Sequence, residues 1–484
     1  MNPHTVTALV GIRRQVTARR VLVAATIGAA ALLGFLSTYR ITESPPIWFD
    51  EGHIVQIAMN AAGHSPHALL QVAPGVYESG AFSATTGYTV TFPVAAAFKL
   101  FGMDLLVARS VMVIFILLFA VCAWRLMRYE TSPPLAAYSL WLIATFAPLY
   151  GNGKNVLGEV PGLLYLAAFL LLVKRIESRQ TSWFDFFGAG LFLGFALVTK
   201  PVFFLLIPPV LAVLLFSRGL LTVPKVFAAL TACSAAVLLW IWVQFGGQTV
   251  AQTIHQYLNP FAIDTVATIP HNAFLFVSSP QPLYALMLLG IWVSSVVLRV
   301  WRGGRVSRAE YIAVGFACMT YLAFLRINPY YRYFFLGEIL AVAYLPQALF
   351  SVWPRKIPKY AAHSFLVLLI MFQAYQCFLS SWVATYYTSQ RSTEVAGVMS
   401  SISASTSVFA YNVPEIPLFL PVGVPYYQYL FITPAVIIGE EQLPLIAGGV
   451  PDVIVIGENP VPAADLYRYK KTRSFNRYEL WQRK

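Results

Sequence analysis

Eleven apolar runs punctuate this chain and leave it few ways to fold. They lie near residues 21–37, 105–127, 134–150, 156–173, 183–200, 201–217, 223–245, 283–300, 309–325, 333–351 and 361–381. A helix needs about 20 apolar residues to cross the hydrocarbon core, and fewer when its flanks can snorkel. Of 484 residues only 11% are charged and 58% are hydrophobic, against about 25% charged in a soluble domain. So few charges cannot clothe a core of this size in water, which excludes a soluble enzyme, a disordered chain and a disulfide scaffold. The expectation is an all-α polytopic membrane protein with about 11 transmembrane helices. The runs 183–200 and 201–217 meet at Lys200-Pro201 with no polar loop between them, which predicts a tight hairpin.

The net charge of +13 reports orientation and is not a nucleic-acid footprint. Arg13, Arg14, Arg19, Arg20, Arg125, Arg128, Lys174, Arg175, Arg179, Arg218, Lys225, Arg299, Arg302, Arg305, Arg308, Arg355, Lys356 and Lys359 all fall in alternate connections, while residues 246–282 hold no Lys or Arg. That asymmetry predicts a cytoplasmic N-terminus and an extracytoplasmic C-terminus in the cytoplasmic membrane. Arg13 to Arg20 before an apolar run resembles a signal peptide, but no clear small-residue cleavage site follows, so a signal anchor fits better. Cys122, Cys233, Cys318 and Cys377 lie inside apolar runs and form no CxxC pair, so they read as small apolar residues.

Three polar regions are expected outside: 38–104, with an interfacial helix over 90–101; the loop 246–282; and a tail, 384–484. The division expected is therefore a transmembrane domain, 1–383, and a small α/β or α+β domain, 384–484, with short strands at 408–411, 452–456 and 477–481. The chain shows no internal repeat, P-loop or dinucleotide fingerprint, which argues against a nucleotide-driven pump.

Ionisable residues near membrane depth are costly and mark candidate chemistry. Asp50 and Glu51, in Trp48-Phe49-Asp50-Glu51-Gly52-His53, precede the helical stripe Ile54, Ile57, Ala58 and Ala61. They read either as an Asp N-cap with a first-turn Glu or as a carboxylate base beside the outer surface. Glu159 follows Lys154 at the outer end of a span, as a self-satisfying pair or as a second acid on the same cavity. Lys200, Arg326 and Arg332 are outward cations, either snorkelling or forming a pocket for an anionic headgroup. His53, His64, His67, His255 and His271, with Glu78 and Asp264, offer metal donors in outer segments, but no HxxxH or HExxH spacing joins them.

Together these residues resemble the GT-C membrane glycosyltransferases, most nearly the protein O-mannosyltransferase and aminoarabinose-transferase branch. Trp48 to Glu51 looks like the family's Asp-Glu motif. The run Thr86-Gly87-Tyr88, Phe92-Pro93, Lys99-Leu100-Phe101-Gly102 and Ala108-Arg109 is similar to its interfacial helix and Arg-led second span. Gly158-Glu159-Val160-Pro161 resembles its second outer acid, Gly194 to Lys200 its "GlaxlTK" element, and Arg332-Tyr333-Phe334 its late Arg. The likeness runs over roughly 45–350 as an ordered set of short motifs. The family's Pro-Pro before the interfacial helix is replaced by Thr85-Thr86-Gly87-Tyr88, and the tail matches no known acceptor module.

The resemblance implies an inverting transferase that takes a sugar from a polyprenyl-phosphate donor to a lipid, glycan or protein acceptor at the outer face. In it Asp50 is the general base, and Lys200, Arg326 and Arg332 face the leaving phosphate. Glu51, Glu159, Tyr88 and Lys154 contact substrate, Trp48 braces the loop, and a divalent metal, if one is used, is held by Glu78 and His255. The competing readings are a transporter or lipid-linked-sugar flippase, with Asp50 and Glu159 coupling protons, and a scaffold whose tail binds a partner.

Overall fold

The computed structural model describes residues 3–63, 70–78, 85–178, 182–216, 223–244, 265–326, 329–353, 358–429, 450–457, 466 and 468–484. The helices, numbered in chain order, are α1 (Pro3–Thr38), α2 (Phe49–Ala62), α3 (Tyr88–Phe101), α4 (Leu105–Glu130), α5 (Pro133–Ala144), α6 (Ala147–Gly153), α7 (Glu159–Ser178), α8 (Trp183–Thr199) and α9 (Ile207–Phe216). They continue as α10 (Val223–Gln244), α11 (Thr265–Ser278), α12 (Pro280–Trp301), α13 (Arg308–Arg326), α14 (Arg332–Val352), α15 (Lys359–Tyr375), α16 (Trp382–Thr385) and α17 (Arg391–Met399).

Every expected span falls on helix, but the number able to cross is lower than expected. Among the described residues seven helical segments are long and apolar enough to span a membrane, and several other expected spans are shorter apolar helices. The run at 134–150 is broken into α5 and α6 at Thr145-Phe146, just before Pro148. That at 201–217 begins with a tight 3-10 segment, Pro201–Leu206, before α9. Exposed Leu106, Ile114, Leu117, Leu118 and Val121 on α4 are surfaces suited to acyl chains. The protein is an integral membrane protein.

Inside the bundle, small residues set the spacing. A Cβ added to Gly190 would lie 2.0 Å from the Ala229 carbonyl oxygen, and one on Gly194 would lie 2.8 Å from Ala236 Cβ. This four-residue glycine spacing lets the α8 and α10 backbones touch. α4 packs on α7, and α14 packs on α12 and α13, with Phe334, Phe335, Leu336 and Ile339 fully buried.

The interfacial helix expected over 90–101 is α3, whose end exposes Leu100, Phe101 and Met103. The expected loop 246–282 instead contains α11. Pro270 inside it reads as a breaker, yet exposed Val266, Ile269 and Val277 recur at helical spacing. Residues 246–264 lie outside the described residues.

The tail carries a five-stranded sheet. Its strands are β3 (Val408–Tyr411), β4 (Tyr426–Tyr429), β5 (Val453–Ile456), β6 (Tyr469–Phe475) and β7 (Tyr478–Arg483), the first two strands of the chain being β1 (Leu70–Ala73) and β2 (Val76–Glu78). The order is β4-β3-β5-β7-β6, with β3 parallel to β4 and β5, and β7 antiparallel to β5 and β6. The three strands expected from the sequence are β3, β5 and β7. β3 and β5 are buried at every position, because α17 covers one face through Val395, Val398 and Met399 while Tyr469 and Leu466 pack on the other.

Candidate active site

α2 begins abruptly because Trp48 is extended (φ −147°, ψ 175°) and takes the cap position without a side-chain cap bond. Asp50 is therefore not the N-cap that its position in the sequence suggests. The next residue, Glu51, fixes the helix. Both Glu51 oxygens accept from Arg109 of α4, at 2.8 Å from Nε and 2.6 Å from the outer nitrogen, and Oε1 also accepts the Val156 N–H at 3.1 Å. Arg109 spends its remaining donors on the carbonyls of Ile41 (2.8 Å) and Pro45 (2.7 Å) and on Asn155 Oδ1 (3.0 Å). All five guanidinium donors are used, and both side chains are 0% exposed. Glu51 thus holds the loop, wholly enclosed with Arg109.

Lys154 is likewise structural. It is fully buried and donates to the Tyr39 carbonyl at 2.7 Å. Burial and the nearby Arg109 lower its pKa to about 7, so a carbonyl that accepts from neutral amine or ammonium alike suits it. The Lys154–Glu159 pair allowed by the sequence is not formed among the described ion pairs, where Glu159 pairs with Lys200. Tyr88 is buried at the start of α3, with its hydroxyl 3.3 Å from the Ala236 carbonyl, and burial lifts its pKa to about 12. It joins α3 to α10.

The anchored loop presents Asp50 to Arg332, the first residue of α14. Their ion pair measures 2.5 Å, with Asp50 23% exposed. Arg332 is stacked among three rings, 4.9 Å from the Trp48 centroid, 5.4 Å from Tyr333 and 5.6 Å from Tyr330. Beside this pair Lys200 binds Glu159 Oε1. The approach is close because Gly158 sits against the Lys200 turn, where a Cβ would lie 2.8 Å from the Thr199 carbonyl oxygen. Thr89 of α3 holds the same turn through Thr199, Oγ1 to Oγ1 at 2.8 Å. Burial lowers the pKa of Lys200, Glu159 and Asp50 raise it, and Arg332 lowers it again. Asp50, Glu159, Lys200 and Arg332 therefore make one electrostatic cluster from four distant parts of the chain. Within it, Glu159 Oε2, Arg332 Nε and Trp48 Nε1 are buried with no hydrogen-bond partner among the described residues.

Other candidates stand apart. Arg326 ends α13 exposed and makes no contact with this cluster among the described hydrogen bonds and ion pairs. Glu78 closes β2, and His64, His67, His255 and Asp264 lie outside the described residues. Among the described residues no three His, Cys, Asp or Glu side chains gather as a metal site. His53 is buried behind Asp50; burial lowers its pKa to about 4 against the opposing pull of Asp50.

The sequence did not signal how firmly the tail grips this region. Glu43 accepts from the Ser392 N–H (3.0 Å) and the Thr393 N–H (2.8 Å) at the start of α17. Gln56 of α2 and Gln428 of β4 exchange amide bonds of 3.1 and 2.7 Å, and Gln428 also donates to the Gln71 carbonyl at 2.6 Å. Such long-range amide pairs leave no mark in a linear pattern.

The fold recurs in known proteins. The sequence model of the dolichyl-phosphate-mannose-protein mannosyltransferase family matches residues 88–242. ArnT from Cupriavidus metallidurans bound to undecaprenyl phosphate superposes with a TM-score of 0.63 at 13% identity, over 95% of this chain and 97% of that one. The chain has the GT-C membrane glycosyltransferase fold. A second GT-C structure, the Archaeoglobus fulgidus oligosaccharyltransferase AglB with an inhibitory peptide and a dolichol-phosphate, matches with a TM-score of 0.54 at 10% identity, over 91% and 70% of the two chains. An Archaeoglobus fulgidus oligosaccharyltransferase solved with Zn and sulfate gives 0.53 at 11% identity, over 90% and 68%. No curated protein matches by sequence. The match at residues 88–242 starts at Tyr88 and takes in Arg109, Glu159 and Lys200, so three of the groups that build or anchor the cluster lie inside it.

Proposed function

We propose that the protein is an inverting glycosyltransferase that uses a polyprenyl-phosphate sugar at the outer face of the cytoplasmic membrane. The observation that carries this reading is the meeting of Asp50 with Arg332 and of Glu159 with Lys200 in one cluster. An acid that can accept a proton stands beside two cations able to hold a phosphate diester. ArnT and AglB, which share the fold, have been solved with undecaprenyl phosphate and dolichol-phosphate.

The donor's two parts have matching surfaces. An apolar groove of about 320 Å³ runs between α7, α8, α9 and α10, lined by Leu197, Ile207, Val210, Leu211 and Leu230. Leu197 lies three residues from Lys200, so an isoprenoid chain in this groove brings its phosphate to the cations. There Arg332 Nε, which has no partner among the described residues, and Lys200 receive the phosphate oxygens. Arg332 is then shared between phosphate and Asp50, and the Asp50 carboxylate turns to the acceptor hydroxyl. Asp50 takes that proton as the acceptor oxygen bonds to the anomeric carbon. The carbon–phosphate oxygen bond breaks with inversion, and the polyprenyl phosphate leaves with the electron pair, its charge held by Lys200 and Arg332. Glu159 keeps Lys200 aimed at the leaving group. The described residues supply no ligand set of three His, Cys, Asp or Glu side chains for a metal.

Binding of undecaprenyl phosphate to the purified protein tests the donor half. Arg332→Ala and Lys200→Ala should each weaken it by tenfold or more, the order expected for losing one charge-assisted contact. Affinity unchanged in both variants contradicts the phosphate site.

A further inference from the structure

A second cleft opens on the far side of the Tyr331-Arg332 step. Its volume is about 190 Å³, and it lies between the ends of α5 and α12, the middle of α14 and the end of α15. Glu338 of α14 is 1% exposed and lines it, accepting a bond from the Tyr331 hydroxyl on one oxygen. No second partner for that carboxyl group is found among the described residues. Facing it, the Tyr284 hydroxyl accepts from Gln373 Nε2 at 3.0 Å, and Gln373 Oε1 accepts from Thr145 Oγ1 at 2.9 Å. Thr145, Gln373 and Tyr284 thus form one hydrogen-bonded chain along this wall. The Gln281 amide and the Trp382 ring complete the wall.

This lining has a definite chemical character. Among the described residues no Lys, Arg or His lines the cleft, so they offer no counter-charge to a phosphate or a carboxylate. A carboxyl group, two phenols and amides offer instead the mixed donors and acceptors that vicinal hydroxyls demand, and the Trp382 face suits the C–H side of a sugar ring. The space admits one ring. The surrounding wall is apolar and lies among membrane helices, which fits a head group borne on a lipid.

We propose that this cleft binds the acceptor of the transfer reaction, and that the acceptor is an uncharged sugar head group carried by a lipid. The inference rests on the transferase reading above. The backbone carries the link: Tyr331 lines the cleft and its chain neighbour Arg332 holds Asp50, so one step of the chain joins the cleft to the partner of the base. The donor groove lies elsewhere, between α7 and α10, so the two substrates enter from different sides.

The test uses the full-length protein in lipid nanodiscs, titrated with hexyl β-D-glucoside below its micellar concentration and followed by tryptophan fluorescence. The wild type should give a saturable change that Trp382→Phe removes. Glu338→Gln and Tyr284→Phe should each raise the apparent Kd roughly tenfold, the size expected for one buried hydrogen bond to a polar head group. Both should bind undecaprenyl phosphate as tightly as the wild type. A wild type without saturable binding, or an apparent Kd unmoved in both variants, overturns the assignment. Loss of undecaprenyl phosphate binding in both variants overturns it too, because the cleft would then belong to the donor. A wild type that binds the glucoside but no undecaprenyl phosphate overturns the transferase reading, and the acceptor role with it.

Discussion

At the residue scale, two kinds of charge lie side by side in the outer loop. Glu51 and Arg109 are wholly enclosed and fully hydrogen-bonded, whereas Asp50 is partly open and shares its partner. Breaking a buried pair by removing one member costs about 3–5 kcal/mol, because the other charge is left uncompensated. Arg109→Lys keeps a charge but loses the planar fork that serves Glu51, two carbonyls and Asn155 at once. It should lower the apparent melting temperature by several degrees in a thermal scan of the detergent-solubilised protein. A melting temperature equal to the wild type contradicts the anchoring role. His53 gives a second reading. With its folded pKa near 4 and an unfolded value of about 6.5, the unfolded chain binds the extra proton first. Stability from this group is therefore complete above about pH 6.5 and falls as pH drops towards 4, by at most about 1.4 kcal/mol per pH unit. His53→Gln should flatten the fall in melting temperature over that range, and parallel wild-type and variant profiles would contradict it.

At the scale of elements, the site depends on close approaches between segments far apart in the chain. α2 lies directly on the tail: a Cβ at Gly52 would stand 2.4 Å from the Glu415 backbone nitrogen. No side-chain rotation relieves a clash with backbone. Gly52→Val should separate α2 from the tail, cut transfer sharply and open the 410–416 region to limited proteolysis. Wild-type proteolysis with full activity would contradict a docked tail. Such contacts also mark where sequence reading ends. The apolar runs and the motif order around Asp50, Glu159, Lys200 and Arg332 were legible because hydropathy and short motifs are local. The division between Asp50, which faces the cluster, and Glu51, which faces inward, was not, because adjacent residues on a helix point about 100° apart. α11 lies in a stretch expected as a loop, and Pro270 stands inside its helix. The Glu338 cleft gave only a single acid inside a span, with nothing in the linear pattern to show Tyr284 and Gln373 around it.

At the scale of the whole molecule, the helical bundle and the tail act on one point from two sides. The bundle supplies Glu159, Lys200 and Arg332 from the ends of three helices, and the outer loop supplies Asp50 on a short helix clamped between Arg109 and the tail. A polytopic chain with few charges thus concentrates four of them at one point, where the proposed reaction puts the leaving phosphate and the attacking hydroxyl. The account stands on Asp50 as the base. Its most direct test is sugar transfer by the reconstituted protein from a panel of polyprenyl-phosphate sugars to glycolipid acceptors, wild type beside Asp50→Asn. The prediction is transfer by the wild type, and a fall of about 10²–10⁴-fold in the variant with undecaprenyl phosphate still bound. Turnover by Asp50→Asn at the wild-type rate would contradict the account.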